Sequence, residues 1–234
     1  MYTPRHRVRT KKKGPFRSIR VMAALVLVII AGLMFGYIFA AYQSLPEVGN
    51  NMRPAVSSQV FDSQGKLITT LHSDQNRLPI DINKVPKNLQ NAFIAAEDNR
   101  FYDHIGVDPI GILRAVVTNL TNRGIAQGGS TITQQLAKNA FLSQDQTLKR
   151  KIQEAILALE LERKYSKKEI LEMYMNQIYF GRGAYGIQTA AHTYFGKDVG
   201  DLTLAECAMI AGLPKSPNYY SSSCLLYTSP SPRD

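Results

Sequence analysis

Residues 147–164 read TLKRKIQEAILALELERK, and this stretch predicts one long α-helix inside the protein. Its middle, AILALEL (155–161), is apolar on nearly every side, which is typical of a buried helix. Arg150 and Lys151 precede Glu154 by four and three positions, so the three charges share one helix face. Two interpretations stay open at this point: a salt-bridge ladder on the surface, or an inward charged face that requires a partner.

Signals for further helices recur on both sides of this stretch. The predicted helix starts are two capping boxes, Ser166 with Glu169 and Thr203 with Glu206, and two single caps, Asp108 before Pro109 and Ser130. The apolar positions at helical spacing are Leu89, Ala92, Phe93, Ala96, Ile110, Leu113, Val117, Leu120, Ile170, Leu171, Tyr174 and Ile178. From Pro86 onward the chain is therefore predicted to be mainly α-helical.

Residues 56–71, VSSQVFDSQGKLITTL, depart from this helical pattern. Two runs rich in β-branched residues flank the turn sequence Asp62-Ser63-Gln64-Gly65, which predicts a β-hairpin. The preceding residues 43–58 contain prolines, a glycine and asparagines and are interpreted as an irregular connector. The predicted fold class is thus mainly α, with one small β-hairpin element near the start of the domain.

Charge and hydropathy set the N-terminal part of the chain apart. Residues 1–20 carry eight of the 28 Lys and Arg side chains and no acid, whereas residues 21–42 run 22 positions without a charge. A helix of that length spans about 33 Å, enough to cross a hydrocarbon core of ~30 Å. We expect one transmembrane helix, with the basic tail in the cytoplasm and the rest of the chain outside. The alternative is a cleaved signal peptide, whose apolar core is usually shorter.

The composition of the remaining chain argues against several other functions. Outside the basic tail, 20 Lys and Arg side chains nearly balance 18 Asp and Glu, so no nucleic-acid-binding surface is expected. The string Gly181-x-Gly183-x-x-Gly186 follows a predicted helix and not a strand, which argues against a dinucleotide site. Two cysteines do not make a disulfide framework or a four-thiolate zinc site, and the Lys-Thr-Gly motif of a transpeptidase does not occur.

Three polar segments carry the candidate chemistry. EDNRFYDHIG (97–106) places Glu97 where a predicted helix ends, QGGSTITQQ (127–135) offers small residues and amides, and the long helix supplies Glu154. A carboxylate at a helix–loop junction is well placed for a cleft, although an ordinary solvated helix end has the same sequence pattern. From the residues alone we infer a polar cleft with two carboxylates that is compatible with an anionic ligand.

The order and spacing of four strings resemble the family 51 peptidoglycan glycosyltransferases, the glycosyltransferase part of class A penicillin-binding proteins. The strings are EDNRFYDHIG (97–106), GGSTITQQLAKN (128–139), RKIQE (150–154) and KKEILEMYMNQIYFGRGAYGIQTAA (167–191). The resemblance runs from about Val60 to Tyr220 and implies a lysozyme-like, mainly α fold with a membrane-facing lobe. It implies a hexosyltransferase on the outer face of the bacterial cytoplasmic membrane. That enzyme would polymerise lipid II into β-1,4 glycan strands with inversion and release undecaprenyl diphosphate.

The resemblance also implies a role for each candidate site residue. Glu97 is expected to be the general base that takes the proton of the acceptor hydroxyl. Glu154 is expected to assist the departing diphosphate, directly or as a ligand of a divalent metal such as Mg²⁺. The implied substrate-binding residues are Lys138, Arg150 and Lys151 for the diphosphates and Gln127, Ser130, Thr131 and Gln135 for the donor site. Expected in supporting roles are Asp98, which orients its loop, and Glu172, Tyr174 and Asn176.

The expected partners are lipid II, the lipid-linked glycan chain, the cytoplasmic membrane and other cell-wall synthesis proteins. Two alternative functions remain open: a lytic glycosidase, because a glutamic acid also suits hydrolysis, and a non-catalytic membrane-anchored scaffold of cell-wall synthesis. The strings of residues 127–135 and 150–154 favour the transferase, because cleavage of a glycan requires no diphosphate binding. The apolar pair Phe141-Leu142 faces either the bilayer or the protein core.

The sequence predicts five segments in order. They are a basic cytoplasmic tail (1–20), a transmembrane anchor (21–42), a connector (43–58), a glycosyltransferase domain (59–220) and an anomalous tail (221–234). The last segment, SSSCLLYTSPSPRD, has no helical periodicity and does not resemble the family, so we expect it to be foreign sequence. In that case the natural protein would be longer and would continue into a transpeptidase domain.

Overall fold

The chain divides into two compact units, Met1–Ser44 and Leu45–Asp234. A computed structural model describes residues 15–46, 48, 58–65, 67–71, 76–121, 128–143 and 145–220. The predicted anomalous tail of residues 221–234 and the predicted donor-site residue Gln127 lie outside the described residues.

The first unit contains a single described helix, α1 (Pro15–Gln43). Its segment Arg20–Gln43 is long and apolar enough to cross a membrane, judged by length and composition. Large apolar side chains stand exposed along this segment, such as Leu33 at 71% and Phe35 at 72%. These properties are consistent with the predicted anchor over residues 21–42, whereas the direction of crossing stays a prediction.

The second unit begins with a β-hairpin, as predicted. Strand β1 (Ser58–Phe61) pairs antiparallel with β2 (Leu67–Leu71), with Ser58 opposite Leu71 and Phe61 opposite Leu67. The backbone N–H of Gly65 donates to the carbonyl of Asp62 at 3.0 Å and closes the turn. Gly65 has a φ of 79°, a conformation that glycine adopts without a steric penalty.

The rest of the described chain is helical apart from a second, very short sheet. Strand β3 (Asn76–Arg77) pairs in parallel with β4 (Ala184–Tyr185). The helices are α2 (Lys87–Glu97), α3 (Pro109–Thr121), α4 (Ile132–Phe141), α5 (Leu148–Lys164), α6 (Lys167–Gln177), α7 (Ile187–Phe195), α8 (Leu204–Gly212) and α9 (Pro217–Tyr220). Short 3₁₀ turns cover Ile82–Lys84, Val199–Asp201 and Leu213–Lys215. The mainly α fold class is confirmed.

The predicted helix starts hold with one exception. Ser166 and Thr203 cap α6 and α8, each in a capping box with the glutamate three residues later. The prediction that Ser130 caps α4 is wrong by one residue, because the side chain of Thr131 accepts from the backbone N–H of Gln134 and forms the box. Ser130 is thereby free of a capping role, and its hydroxyl contacts Lys151 instead.

Helix α5 is buried along one side and not all round. Leu157, Ala158 and Leu161 are fully buried, whereas Leu159 is 40% exposed. Helices α4 and α6 pack against it, and α2 joins the same core through Phe93, whose ring meets that of Tyr174 edge-on at 6.2 Å between centroids. The core therefore lies between the helices that carry the candidate site residues.

Helix α3 differs from these helices because its apolar side chains are exposed. Among its residues only Ala115 is buried, while Leu113 is 64% and Leu120 is 74% exposed. Phe141 and Leu142, for which the sequence left bilayer and core both open, are half-buried and pack against the core. Helix α3 thus presents several exposed apolar side chains along its length, whereas the pair that the sequence singled out packs on the core.

Candidate active site

Glu97 is the last residue of α2, and its carboxylate is held by an amide. The Gln135 side chain, on α4, donates from Nε2 to Glu97 Oε2 at 2.8 Å. Tyr174, on α6, donates its hydroxyl to Gln135 Oε1 at 3.3 Å. Glu97 is half-buried, and its other oxygen, Oε1, accepts no hydrogen bond from any residue that the structure describes. Oε1 is therefore the atom that can accept a proton from a ligand.

Burial keeps the Tyr174 hydroxyl in its protonated form. The side chain is 1% exposed, and this burial is the largest cause of a pKa raised well above the usual value of a tyrosine. The negative charges of Glu97 and Asp98 raise the pKa of Tyr174 further, because they disfavour a phenolate nearby. Tyr174 is thus a donor to Gln135 throughout the physiological pH range.

Asp98 joins the loop after α2 to the start of α4. Its Oδ2 accepts from the backbone N–H of Ile132 at 3.1 Å and lies 2.9 Å from His104 Nε2. The backbone N–H of Gly106 donates to His104 Nδ1 at 3.1 Å, so Nδ1 is an acceptor and Nε2 carries the proton shared with Asp98. Asp98 Oδ2 thus accepts hydrogen bonds from two donors of the protein, the Ile132 N–H and the His104 ring.

Gly106 allows the same loop to approach α5 closely. Its φ is +98°, and a Cβ at this position would lie 2.8 Å from the Ala158 carbonyl oxygen. The Thr131 hydroxyl donates to the Gly106 carbonyl at 2.6 Å while it also accepts from the N–H of Gln134. Thr131 is 2% exposed, so its observed contacts are with the protein, although the sequence predicted it to line the donor site.

Glu154 lies between two cations on α5. Its side chain is 3% exposed, with Oε2 2.6 Å from Lys151 Nζ and Oε1 3.0 Å from Arg150 Nε. Lys151 Nζ also donates to the Ser130 hydroxyl at 2.7 Å. The alternative of a salt-bridge ladder on the surface does not describe this arrangement, because the Glu154 carboxylate is buried although Lys151 is 46% exposed.

Residues 130–135 connect the surroundings of Glu97 and Glu154 through hydrogen bonds. Ser130 contacts the cation that pairs with Glu154, and Gln135, five residues later, contacts Glu97. Lys138 follows Gln135 by one helical turn, is half-buried, and forms no ion pair with a described residue. Residues 130–138 therefore present a neutral amide to one carboxylate and lie beside cations, an environment that suits an anionic ligand.

The predicted supporting residues of α6 hold the chain before α2. Glu172 Oε2 accepts from the backbone N–H of Ile82 at 2.9 Å. The Asn176 amide accepts from the N–H of Ile80 at 2.9 Å and donates to the Ile80 carbonyl at 2.8 Å. These contacts span about ninety positions of sequence, and no local pattern in residues 78–82 signals them.

Beside the two cations of α5, the carboxylate available to a metal ion is that of Glu154. Among the described residues no group of three or more His, Cys, Asp or Glu side chains is arranged to hold a metal. Glu154 Oε1 is buried and accepts no hydrogen bond from a described residue, although Arg150 Nε lies beside it. Mg²⁺ commonly binds one or two carboxylates together with substrate phosphates, so this donor set fits a metal that arrives with a diphosphate.

Comparison with known proteins shows similarity to one protein family and to several penicillin-binding proteins. The model of the transglycosylase family matches residues 64–228. Penicillin-binding protein 1A of Aquifex aeolicus (strain VF5) is 46% identical over 199 residues, which are 84% of this chain and 27% of that protein. Penicillin-binding protein 1F of Bacillus subtilis (strain 168) is 45% identical over 211 residues, 90% of this chain and 29% of that protein.

A solved structure of penicillin-binding protein 1A from Haemophilus influenzae aligns with 75% of this chain and 16% of its own, at 27% identity and a TM-score of 0.38. The chain spans between a quarter and a third of the length of the two relatives described above. The family match covers more than half of the chain and includes all four strings that carried the resemblance. This chain belongs to the transglycosylase family.

Proposed function

We propose that this chain is a peptidoglycan glycosyltransferase that polymerises lipid II into β-1,4 glycan strands. One observation carries the proposal: residues 130–135 contact Glu97 through the neutral amide of Gln135, and through Ser130 they contact Lys151, one of the two cations that flank the buried Glu154. The first environment suits proton transfer from a hydroxyl, and the second suits a departing diphosphate. A reaction that needs both at once is transfer of a sugar from a lipid diphosphate.

In the proposed reaction the 4-hydroxyl of the acceptor N-acetylglucosamine attacks the anomeric carbon of the lipid-linked donor glycan. The hydroxyl proton passes to Glu97 Oε1, the oxygen that is open to a ligand. The new bond joins the acceptor oxygen to the anomeric carbon, and the bond from that carbon to the diphosphate breaks with its electron pair on the diphosphate. Attack opposite the leaving group inverts the anomeric configuration, and undecaprenyl diphosphate is the released product.

The cations around Glu154 would stabilise the charge that develops on the leaving diphosphate. Lys151, on α5, is half-exposed beside Ser130, and Lys138, on α4, adds a second positive charge that no described residue pairs with. Charge-assisted contacts with phosphate oxygens are stronger than neutral hydrogen bonds, which favours this binding mode. A divalent cation such as Mg²⁺, bound by Glu154 and by phosphate oxygens, would supply further neutralisation of the same charge.

We also propose that α3 contacts the bilayer that holds the lipid substrates. Its exposed side chains are apolar at Ile110, Leu113, Val117 and Leu120, which is typical of a surface that meets an apolar phase. The chain contains no tryptophan, so Leu113→Trp introduces a single fluorescent reporter. We expect quenching of this tryptophan by vesicles with brominated acyl chains, and much weaker quenching for the matched variant Leu204→Trp at an exposed leucine of α8.

The function is tested with the 234-residue chain in detergent, labelled lipid II and Mg²⁺. We expect glycan strands that a gel resolves by length, and none from Glu97→Gln. Release of short soluble sugars from preformed glycan, with no strand growth, would instead identify a lytic glycosidase. A folded chain that shows neither activity while Glu97→Gln behaves identically would indicate the scaffold role in cell-wall synthesis.

A further inference from the structure

Three side chains from three helices form one hydrogen-bonded line that ends at Glu97. Tyr174 on α6 donates to Gln135 on α4, and Gln135 donates to Glu97 at the end of α2. The two distances are 3.3 Å and 2.8 Å. Helices α4 and α6 pack against each other, so the line crosses the interface between them.

The chemistry of the groups gives this line a direction. A glutamine amide has a carbonyl oxygen that only accepts and a nitrogen that only donates, and the two ends are similar in size. The Tyr174 hydroxyl, kept protonated by burial, offers its proton to the oxygen end. The Glu97 carboxylate, an acceptor, then meets the nitrogen end, so a rotated amide would face both partners with the wrong group.

Packing alone does not account for the tyrosine hydroxyl at this position. The Tyr174 ring already has an apolar partner in Phe93, and a phenylalanine would retain this edge-on contact. A buried hydroxyl requires a partner, since leaving one unsatisfied destabilises the folded protein. The partner that Tyr174 uses is the amide that holds Glu97.

We propose that Tyr174 is a positioning residue that acts through Gln135 to hold Glu97 with Oε2 engaged and Oε1 directed to the acceptor hydroxyl. The inference rests on the proposed function, in which Glu97 Oε1 takes the proton. Gln135 thereby has a role in addition to any contact with the donor, and Tyr174 acts without touching substrate.

The first test measures polymerisation kinetics of the 234-residue chain with Tyr174→Phe. We expect kcat to fall about five- to tenfold, comparable to the loss of one hydrogen bond, with the KM for lipid II unchanged. Tyr194→Phe is the matched control, because its hydroxyl donates to the backbone carbonyl of Phe180 at 2.8 Å and not to the amide that holds Glu97. An unchanged kcat for Tyr174→Phe, or an equal fall for both variants, overturns the inference.

A double-mutant cycle separates positioning from general damage to the core. Gln135→Leu removes the amide, so Tyr174 no longer has a group through which to act. We expect Tyr174→Phe to lower kcat in the wild-type background and to leave it unchanged in the Gln135→Leu background. Equal fold-changes in the two backgrounds would show that Tyr174 acts through packing and would overturn the proposal.

An NMR measurement tests the geometry without any activity. In chain labelled with ¹⁵N-glutamine, the Gln135 side-chain amide is assigned by its loss in Gln135→Leu. We expect this signal to shift and its protons to exchange faster with water in Tyr174→Phe, but not in Tyr194→Phe. If the signal changes in this way but the wild-type chain makes no glycan, the contact between Tyr174 and Gln135 is supported and the proposed function is overturned. If the wild-type chain makes glycan but the signal does not change, the positioning role of Tyr174 is overturned and the proposed function stands.

Discussion

Glu97 and Glu154 are two carboxylates with opposite surroundings. Glu97 is half-buried, contacts an uncharged amide on one oxygen, and leaves the other oxygen open. Glu154 is almost fully buried and has a cation beside each oxygen. The same side chain is thus available to a proton in one place and committed to cations in the other. The difference teaches that the environment of each carboxylate, and not its residue type, distinguishes the roles proposed for the two glutamates.

The largest expected effect comes from Glu97→Gln, which removes the proposed proton acceptor and keeps the shape of the side chain. We expect polymerisation to fall by about 10³-fold or more, a loss within the range of general-base catalysis. Stability should change by less than about 1 kcal/mol, because a half-exposed group and one amide contact are altered. Gel-resolved glycan synthesis and thermal unfolding check the two parts, and residual synthesis near the wild-type rate would break the comparison.

Glu154→Gln should damage both activity and stability. The neutral amide leaves Arg150 and Lys151 beside a buried group without the opposing charge. Loss of one partner of a buried ion pair costs about 3–5 kcal/mol, and the half-exposed Lys151 reduces this to about 2 kcal/mol here. Denaturant unfolding measures that cost, and a stability equal to that of Glu97→Gln would erase the distinction between the two sites.

The cations allow a third, smaller test of the Glu154 environment. Lys151 is held by Ser130 and Glu154, whereas Lys138 has no ion-pair partner among the described residues. We therefore expect Lys138→Met to raise the KM for lipid II about tenfold with little change in stability. The KM of this variant should depend less on salt than that of the wild type, because one screened contact with a diphosphate is lost. An unchanged KM and salt dependence would exclude Lys138 from the diphosphate site.

Removal of divalent metal should have less effect than loss of Glu154. Arg150 and Lys151 already place positive charge at this end of the site, so chelation is expected to lower the rate by about tenfold or less. The measurement is initial-rate polymerisation with a chelator and after restoration of Mg²⁺. Complete loss of activity would show that the cations do not suffice.

The smallest effect concerns how the stability contribution of Tyr174, which donates to the Gln135 amide, depends on pH. The pKa of Tyr174 is raised above that of an unfolded tyrosine, about 10, so its contribution to stability is complete below pH ~10 and declines as the pH rises further. The stability difference between wild type and Tyr174→Phe should therefore be constant from pH ~6 to ~9. Unfolding curves across this range check it, and a difference that falls near neutral pH would contradict the buried, protonated phenol.

Much of the helical framework could be predicted because its signals are local. The boxes at Ser166 and Thr203 and the apolar positions of residues 170–178 depend on neighbours within one or two turns. The predicted start of α4 was wrong by one residue because Ser130 and Thr131 are both residue types that commonly cap helices. Only the packed fold decides between them, since Ser130 meets Lys151 while Thr131 meets the Gly106 carbonyl.

The site was less predictable than the framework because its contacts are long-range. The strings predicted a set of site residues, but no periodicity places Gln135 against Glu97 or Tyr174 against Gln135. The exposed face of α3 was also missed, since apolar residues at helical spacing normally indicate burial. Residues 109–121 contain no acid and a single cation, Arg114, but residues 132–141 of the buried helix α4 share this composition, so composition does not separate the two helices.

The contacts between Asp98 and Ile132 and between Thr131 and Gly106 make the loop after Glu97 and the first turn of α4 depend on each other for their structure. The first turn of α4 obtains two of its contacts from the loop after Glu97, and the loop obtains its docking from that turn. Neither is complete alone, so we expect the Ile132 and Gly106 amides to be protected together in native-state hydrogen exchange, as one cooperative unit. A molecule in which this loop has detached from α4 would then be partly unfolded and open to proteolysis.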